Sequence, residues 1–317
     1  MKKKYAITSL LILVILMLSG CSNKALEEAT AAVGAYNAAA ESFNKSAEPY
    51  NEAVNAIETA NNDLQEIIDN AQAAIDAGEE PFDESTLTTL KDAMSAAAEV
   101  KIAVPESLPV YEKMTVSEDA KRSELEAMTE DANAKTEEIN STTIPDLPEI
   151  PDYTEVSKNV SEATVVYQDS IQSLKQVTMP SEDFIKERLQ SIETITAMEA
   201  VTEDHDPNGM LNKQGGYTCC VYFTDTQVDR SQLYIEDGKD NVIDVGTDGG
   251  GAIEVFRTTK EAETRNEYLG SFDGTGFSSG SHYVVGTCII RTSNELSGTQ
   301  QLELTDKITE ALTKVVH

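Results

Sequence analysis

Apolar residues recur at steps of three and four from Ala25 to about Gly78, with Ala53, Ile57, Ala60, Leu64, Ile67, Ile68 and Ala71 falling on one stripe. That spacing predicts long amphipathic helices. Pro49 is expected to kink or divide the first of them, because its ring removes a backbone donor, and Gly78 with Pro81 marks the end. A second helical stretch covers residues 85–103. Pro105 and Pro109 break the chain, and Thr115-Val-Ser-Glu118 reads as a capping box that opens a helix to about Asn140. Pro145, Pro148 and Pro151 then recur every third residue, the period of a polyproline II strand. Residues 144–152 read as an extended connector strapped along the helices, with a proline-reading partner as the other use of the same spacing. A further helix is expected over 153–177, with Val160, Ala163, Val166, Ile171 and Leu174 as its buried face.

The pattern changes after Met179-Pro180, where glycine rises and β-branched runs appear. Ser181-Glu-Asp caps a helix over about 184–192. Three strands are expected at 217–224, 252–257 and 282–292. Thr258-Thr-Lys-Glu261 is a second capping box, opening a helix to about Leu269. Leu304, Ile308, Ala311, Leu312 and Val315 form a last apolar stripe, which asks for a sheet to cover. The fold class read from these elements is α+β. An all-α antiparallel bundle or stalk over 21–178 precedes a small two-layer α+β module over 179–317, whose antiparallel sheet has about three strands.

Composition narrows the partners. The chain of 317 residues carries 56 acidic against 24 basic side chains, a formal charge of −32. Nucleic acid is excluded as an expected partner, since its binding relies on Lys and Arg displacing counterions from phosphate. At 6% aromatic and 40% hydrophobic, with no Trp, the chain suits slender Ala-rich helical packing, and the missing Trp argues against a sugar-binding cleft.

Lys2, Lys3 and Lys4 precede a nine-residue apolar run at 10–18, too short for a mature span of a ~30 Å hydrocarbon core. The run ends in Leu18-Ser19-Gly20-Cys21, which resembles the bacterial lipobox. Residues 1–20 therefore read as a lipoprotein signal peptide and Cys21 as the lipidated residue. Its acyl chains would bind the chain to the extracellular face of a cell membrane, each buried CH₂ contributing about 0.8 kcal/mol.

Asp204-His-Asp206-Pro-Asn208-Gly209 fits the first half of a calcium loop, so Asp204, Asp206 and Asn208 are candidate calcium ligands, completed by Glu203, Asp248 or Asp273. The twelfth position, where such a loop needs a bidentate carboxylate, is Gly215. Asp206-Pro-Asn-Gly209 is equally a β-turn. Gly246-Thr-Asp-Gly-Gly-Gly251 precedes a strand and lacks the helix and Lys of a phosphate loop, so it reads as a flexible loop. Cys219, Cys220 and Cys288 form no zinc spacing; core packing and a Cys288 disulfide both fit them. His282 with Asp273 and a serine lacks the sequence context of a catalytic triad.

The segments at 201–209, 211–218 and 246–255, with Gly280-Ser-His282, resemble a recurrent C-terminal module of secreted and lipid-anchored proteins of Gram-positive bacteria. The resemblance covers about residues 181–317. It implies an exported protein of a family without established activity, some of whose members are labelled extracellular-matrix-binding. Together these features favour a non-enzymatic cell-surface lipoprotein whose helical stalk presents a module for a protein, peptide or cell-wall ligand. The competing readings are an exported hydrolase with its site near the Asp-rich loops and His282, and a calcium-stabilised structural module.

Overall fold

A computed structural model describes residues 23–275 and 280–317; the expectations for residues 1–20 and Cys21 lie outside the described residues. The described residues form two compact units, 23–63 with 101–152, and 64–100 with 153–317. The units thus do not part at a single cut after residue 178.

Helix α1 (Asn23–Asp76) runs unbroken for 54 residues with Pro49 inside it. The expected division at Pro49 does not occur. Pro49 and Lys45 both lie on the exposed face, so the Lys45 carbonyl that loses its donor faces water. In the first unit Ala29, Tyr36 and Phe43 belong to the stripe of α1 that packs with Leu125, Ala132 and Ile139 of α3 (Arg122–Ser141). On α3 these contacts repeat every seven residues, the spacing of two turns on one helix face. Helix α3 begins later than Thr115-Glu118 suggested. The reciprocal contact is made by the Lys121 N–H, which donates to the Glu124 carboxylate at 2.8 Å.

Residues 101–117 are extended and lie along α1, held by a ladder of asparagines. Each amide makes two bonds to one peptide residue. Asn37 donates to the Met114 carbonyl and accepts its N–H, both at 2.8 Å. Asn44 pairs likewise with Tyr111 at 2.9 and 3.0 Å, and Asn51 with Leu108 at 3.1 and 2.7 Å. Seven helical residues rise about 10.5 Å, and three polyproline II residues about 9.3 Å. The two repeats therefore stay in step for three rungs.

In the second unit α2 (Ser85–Glu99) packs along α4 (Thr154–Gln176). The buried face of α4 holds Val160, Ala163, Tyr167, Ser170 and Ile171, while Val166, expected inside, is 53% exposed. Tyr167 takes the inward place one residue on and donates its hydroxyl to the Glu79 carbonyl at 3.1 Å.

The sheet has five antiparallel strands, not three, in the order β1-β2-β3-β5-β4. They are β1 (Ile195–Ala200), β2 (Cys219–Asp225), β3 (Gly250–Val255), β4 (His282–Val285) and β5 (Cys288–Thr292). The expected strand at 282–292 is split by a tight turn at Gly286, whose φ is +59°. A Cβ there would also stand 2.5 Å from Val177, at the end of α4. Strand β1 is an edge strand with a bulge near its start, and so lacks the alternation that marks a half-buried strand.

One face of the sheet packs under α5 (Glu182–Leu189) and α8 (Gly298–Thr313), around Val221, Phe223, Ile253, Ile290 and Ile308. The other packs under α7 (Thr259–Gly270), the short α6 (Val242–Val245) and the loop at 201–217. Gly250 and Gly251 are not a flexible loop. A Cβ on Gly251 would sit 2.2 Å from the Arg291 carbonyl, and one on Gly250 2.5 Å from the Asp225 nitrogen, so these glycines allow strands to approach.

Candidate functional site

Strand register decides which polar side chains meet. Tyr222 on β2, Glu254 on β3 and Arg291 on β5 all lie on the face covered by α7. Glu254 is fully buried, and both its oxygens are taken by guanidinium groups. Arg265 of α7 grips it with two bonds, at 2.9 and 3.1 Å, and Arg291 adds a third at 2.8 Å. Desolvation pushes the Glu254 carboxyl up, but the two arginines outweigh it and hold it below the usual range. A buried pair of this kind ties a helix to a sheet in one register.

The loop over this face uses the residues picked out as calcium ligands. Asp206 accepts the Leu211 N–H at 2.7 Å, the Asn208 N–H at 3.2 Å and the Tyr217 hydroxyl. Burial pushes its carboxyl up, and the Tyr217 hydroxyl with the N–H groups of Leu211, Met210 and Gly209 brings it below its ordinary value. The Asn208 amide donates to the Tyr222 hydroxyl at 3.0 Å. Gly209 N–H closes the turn on the Asp206 carbonyl at 3.0 Å with φ +60° at Gly209, the geometry expected of the Asp-Pro-Asn-Gly turn. Asp204 is exposed and bonds to no described residue. Among the described residues no three His, Cys, Asp or Glu side chains gather where they could hold a metal ion. Asp206 and Asn208 are thus brought together as staples of the loop to Tyr217 and Tyr222, a role hidden in sequence because both tyrosines arrive from β2 and its approach.

His205 reaches Asp244 at 2.7 Å, fastening the same loop to α6. His282 sits 2.7 Å from the Asn266 side-chain oxygen by Nδ1 and 3.3 Å from Asp273 by Nε2, so both ring nitrogens face oxygens. Ser281 points its hydroxyl to Thr292 at 2.6 Å instead of to the histidine. Cys219, Cys220 and Cys288 are free thiols. Cys219 and Cys288 share a face, but both pair with Val255 from opposite sides. Two strand spacings, about 9.5 Å, exceed the reach of a disulfide. Burial raises all three thiols, Cys219 to about 11 and Cys288 to about 12, which suppresses the reactive thiolate.

On the opposite side of the sheet a cleft of about 450 Å³ opens between residues 191–194, which lead into β1, and the C-terminal half of α8. Ile192 and Ala311 give it an apolar floor, and Glu193, Lys307, Glu310 and Lys314 give it both signs of charge. None of these four is in an ion pair with a described residue, although Lys307 and Glu310 are three residues apart on α8 and Lys314 follows its last turn. Comparison of the chain with family models, with curated proteins and with solved structures finds no match.

Proposed function

We propose that the chain is a bacterial cell-surface lipoprotein, anchored through Cys21, whose C-terminal α+β module binds a protein, peptide or cell-wall ligand without transforming it. The observation that carries this reading is the Leu18-Ser19-Gly20-Cys21 box behind a nine-residue apolar run and three lysines. The non-enzymatic part is supported by how the polar side chains are used. Asp206, Tyr217, Glu254 and His282 are engaged in internal bonds, and burial keeps the thiols protonated. The binding part is supported by the charged cleft beside β1, of a volume that accommodates a small ligand. The excess of acidic over basic side chains keeps the ectodomain soluble and biases it toward basic or zwitterionic partners.

Metabolic labelling with a palmitate analogue tests the anchor. The unaltered chain should take up label and sediment with membranes, and Cys21→Ala should lose both; label retained by Cys21→Ala refutes lipidation at this residue. Retention of a saturable wall or surface partner on the immobilised ectodomain tests the module. Running it with calcium and with chelator decides whether the Asp204 loop takes any part, and equal retention in both removes a calcium role.

A further inference from the structure

Four residues of the cleft lining, 191–194, lead directly into the edge strand β1. Among the described residues strand β1 has a neighbouring strand on one side only. The Val201 N–H donates to the Cys220 carbonyl at 2.9 Å, so Val201, Glu199 and Ala197 turn their main-chain groups toward β2. In an antiparallel pair the alternate residues then turn theirs outward. These are Ala200, Met198 and, at the bulge, Thr196, and among the described residues no group bonds to their outward main-chain N–H and C=O. Outward N–H and C=O groups on an edge are a template for a further strand.

The cleft lies at the N-terminal end of this edge. A strand added antiparallel, in keeping with every pairing in the sheet, brings its own C-terminus to that end. There Lys307 on α8 and Lys314, the residue that follows its last turn, present two ammonium groups without a carboxylate partner among the described residues. Glu310 between them and Glu193 across the cleft present two unpaired carboxylates. The lining is neutral in sum and strongly divided in sign.

We infer that this groove binds an extended peptide by strand addition to β1, with the peptide's C-terminal carboxylate between Lys307 and Lys314 and a basic side chain near its end against Glu193 and Glu310. Ile192 and Ala311 form the floor for a small terminal side chain. From the cleft to Met198 is a span of four to five residues, about 15 Å, so a pentapeptide reaches both. The inference rests on the reading of the module as a binding domain and names the ligand class for it. Salt weakens the terminal contacts, which are exposed, more than it weakens the main-chain bonds.

The test uses the full-length chain in detergent and three fluorescein-labelled pentapeptides: Val-Thr-Val-Lys-Ala with a free C-terminus, the same peptide amidated, and Val-Thr-Val-Glu-Ala with a free C-terminus. Fluorescence anisotropy should rank the first tightest, with each of the others at least about tenfold weaker. Lys307→Ala with Lys314→Ala should weaken the first peptide about tenfold and abolish the difference between acid and amide. Saturation with the first peptide should slow exchange of the Met198 amide. Unchanged thermal melting of the double variant shows that its fold is intact. Equal affinity for acid and amide, or unaltered Met198 exchange at saturation, overturns the proposal, as does absence of binding by all three peptides up to about 5 mM. If the double variant still retains a wall or surface partner as well as the unaltered chain does, the peptide groove fails while the binding-module reading stands.

Discussion

Replacing Asn37, Asn44 and Asn51 together by alanine separates the asparagine ladder from the helix that carries it. Each amide makes two hydrogen bonds to a main-chain residue of the strap, six bonds in all. A net contribution of about 1 kcal/mol for each bond gives about 2 kcal/mol per rung. The three side chains are half-buried, so water reaches the freed peptide groups and no larger desolvation penalty applies. Alanine returns about 0.6 kcal/mol per site through its higher helix propensity. The rungs stand about 10 Å apart on α1, far enough for near additivity. The triple variant should therefore lose roughly 4 kcal/mol. Helix propensity alone would instead stabilise it by about 2 kcal/mol, so the sign decides between the two accounts. Native-state hydrogen exchange supplies the local readout, with the amides of Leu108, Tyr111 and Met114 expected to lose protection first. Urea unfolding followed by circular dichroism supplies the total. Protection at those three amides equal to that of the unaltered chain, or a gain in stability, refutes the ladder as the tether of the strap.

Other outcomes follow from the second unit. Glu254→Gln leaves Arg265 and Arg291 buried beside a neutral amide and should cost about 3 to 5 kcal/mol, read as a fall of roughly 10 °C in Tm; a shift within about 2 °C would show that the pair contributes nothing net. Glu254 and Asp206 titrate below their ordinary values when folded, so their stabilising effect is complete above the unfolded carboxyl range and is lost as pH falls through the lower folded values. Urea unfolding of the unaltered chain should accordingly be flat from pH 7 to about 5 and fall below about 4.5, with a shallower fall in Glu254→Gln. Tyr217→Phe removes a donor to Asp206 and should loosen the loop, seen as faster exchange of the Leu211 amide, while β3 keeps its protection. Cys219, with its pKa near 11, and the buried Cys220 and Cys288 should react with a disulfide reagent at neutral pH only slowly until the chain is unfolded.

How much of this was legible in advance differs between levels of structure. The helices at 85–99, 154–176, 182–189, 259–270 and 298–313 follow from apolar spacing and from Ser181 and Thr258, whose hydroxyls accept the expected cap hydrogen bonds, as that of Ser297 does at the start of α8. These signals are local, so a sequence carries them whole. Pro49 and the Thr115 box misled for the same reason in reverse: a local rule states what a residue costs, and packing of α1 through its alanine stripe offsets that cost. Strand β1 was missed because an edge strand with a bulge buries no alternating face.

The candidate site was the least legible part. Asp206 and Asn208 were singled out as calcium ligands, and the sequence held no trace of their bonds to Tyr217 and Tyr222, eleven and fourteen residues away. Nothing local in the sequence links Glu254, Arg265 and Arg291; strand register puts two of them on one face beneath a helix bearing the third. The cleft is assembled from residues more than a hundred positions apart. By itself, then, the sequence determined the acidity and most of the helices, because charge is a sum over residues and a helix depends on neighbours along the chain, and it alone carries the proposal of export and lipidation at Cys21. Tertiary structure alone decided the unit boundaries, the ladder of Asn37, Asn44 and Asn51 and the groove beside β1, because each depends on which backbone comes to lie beside which.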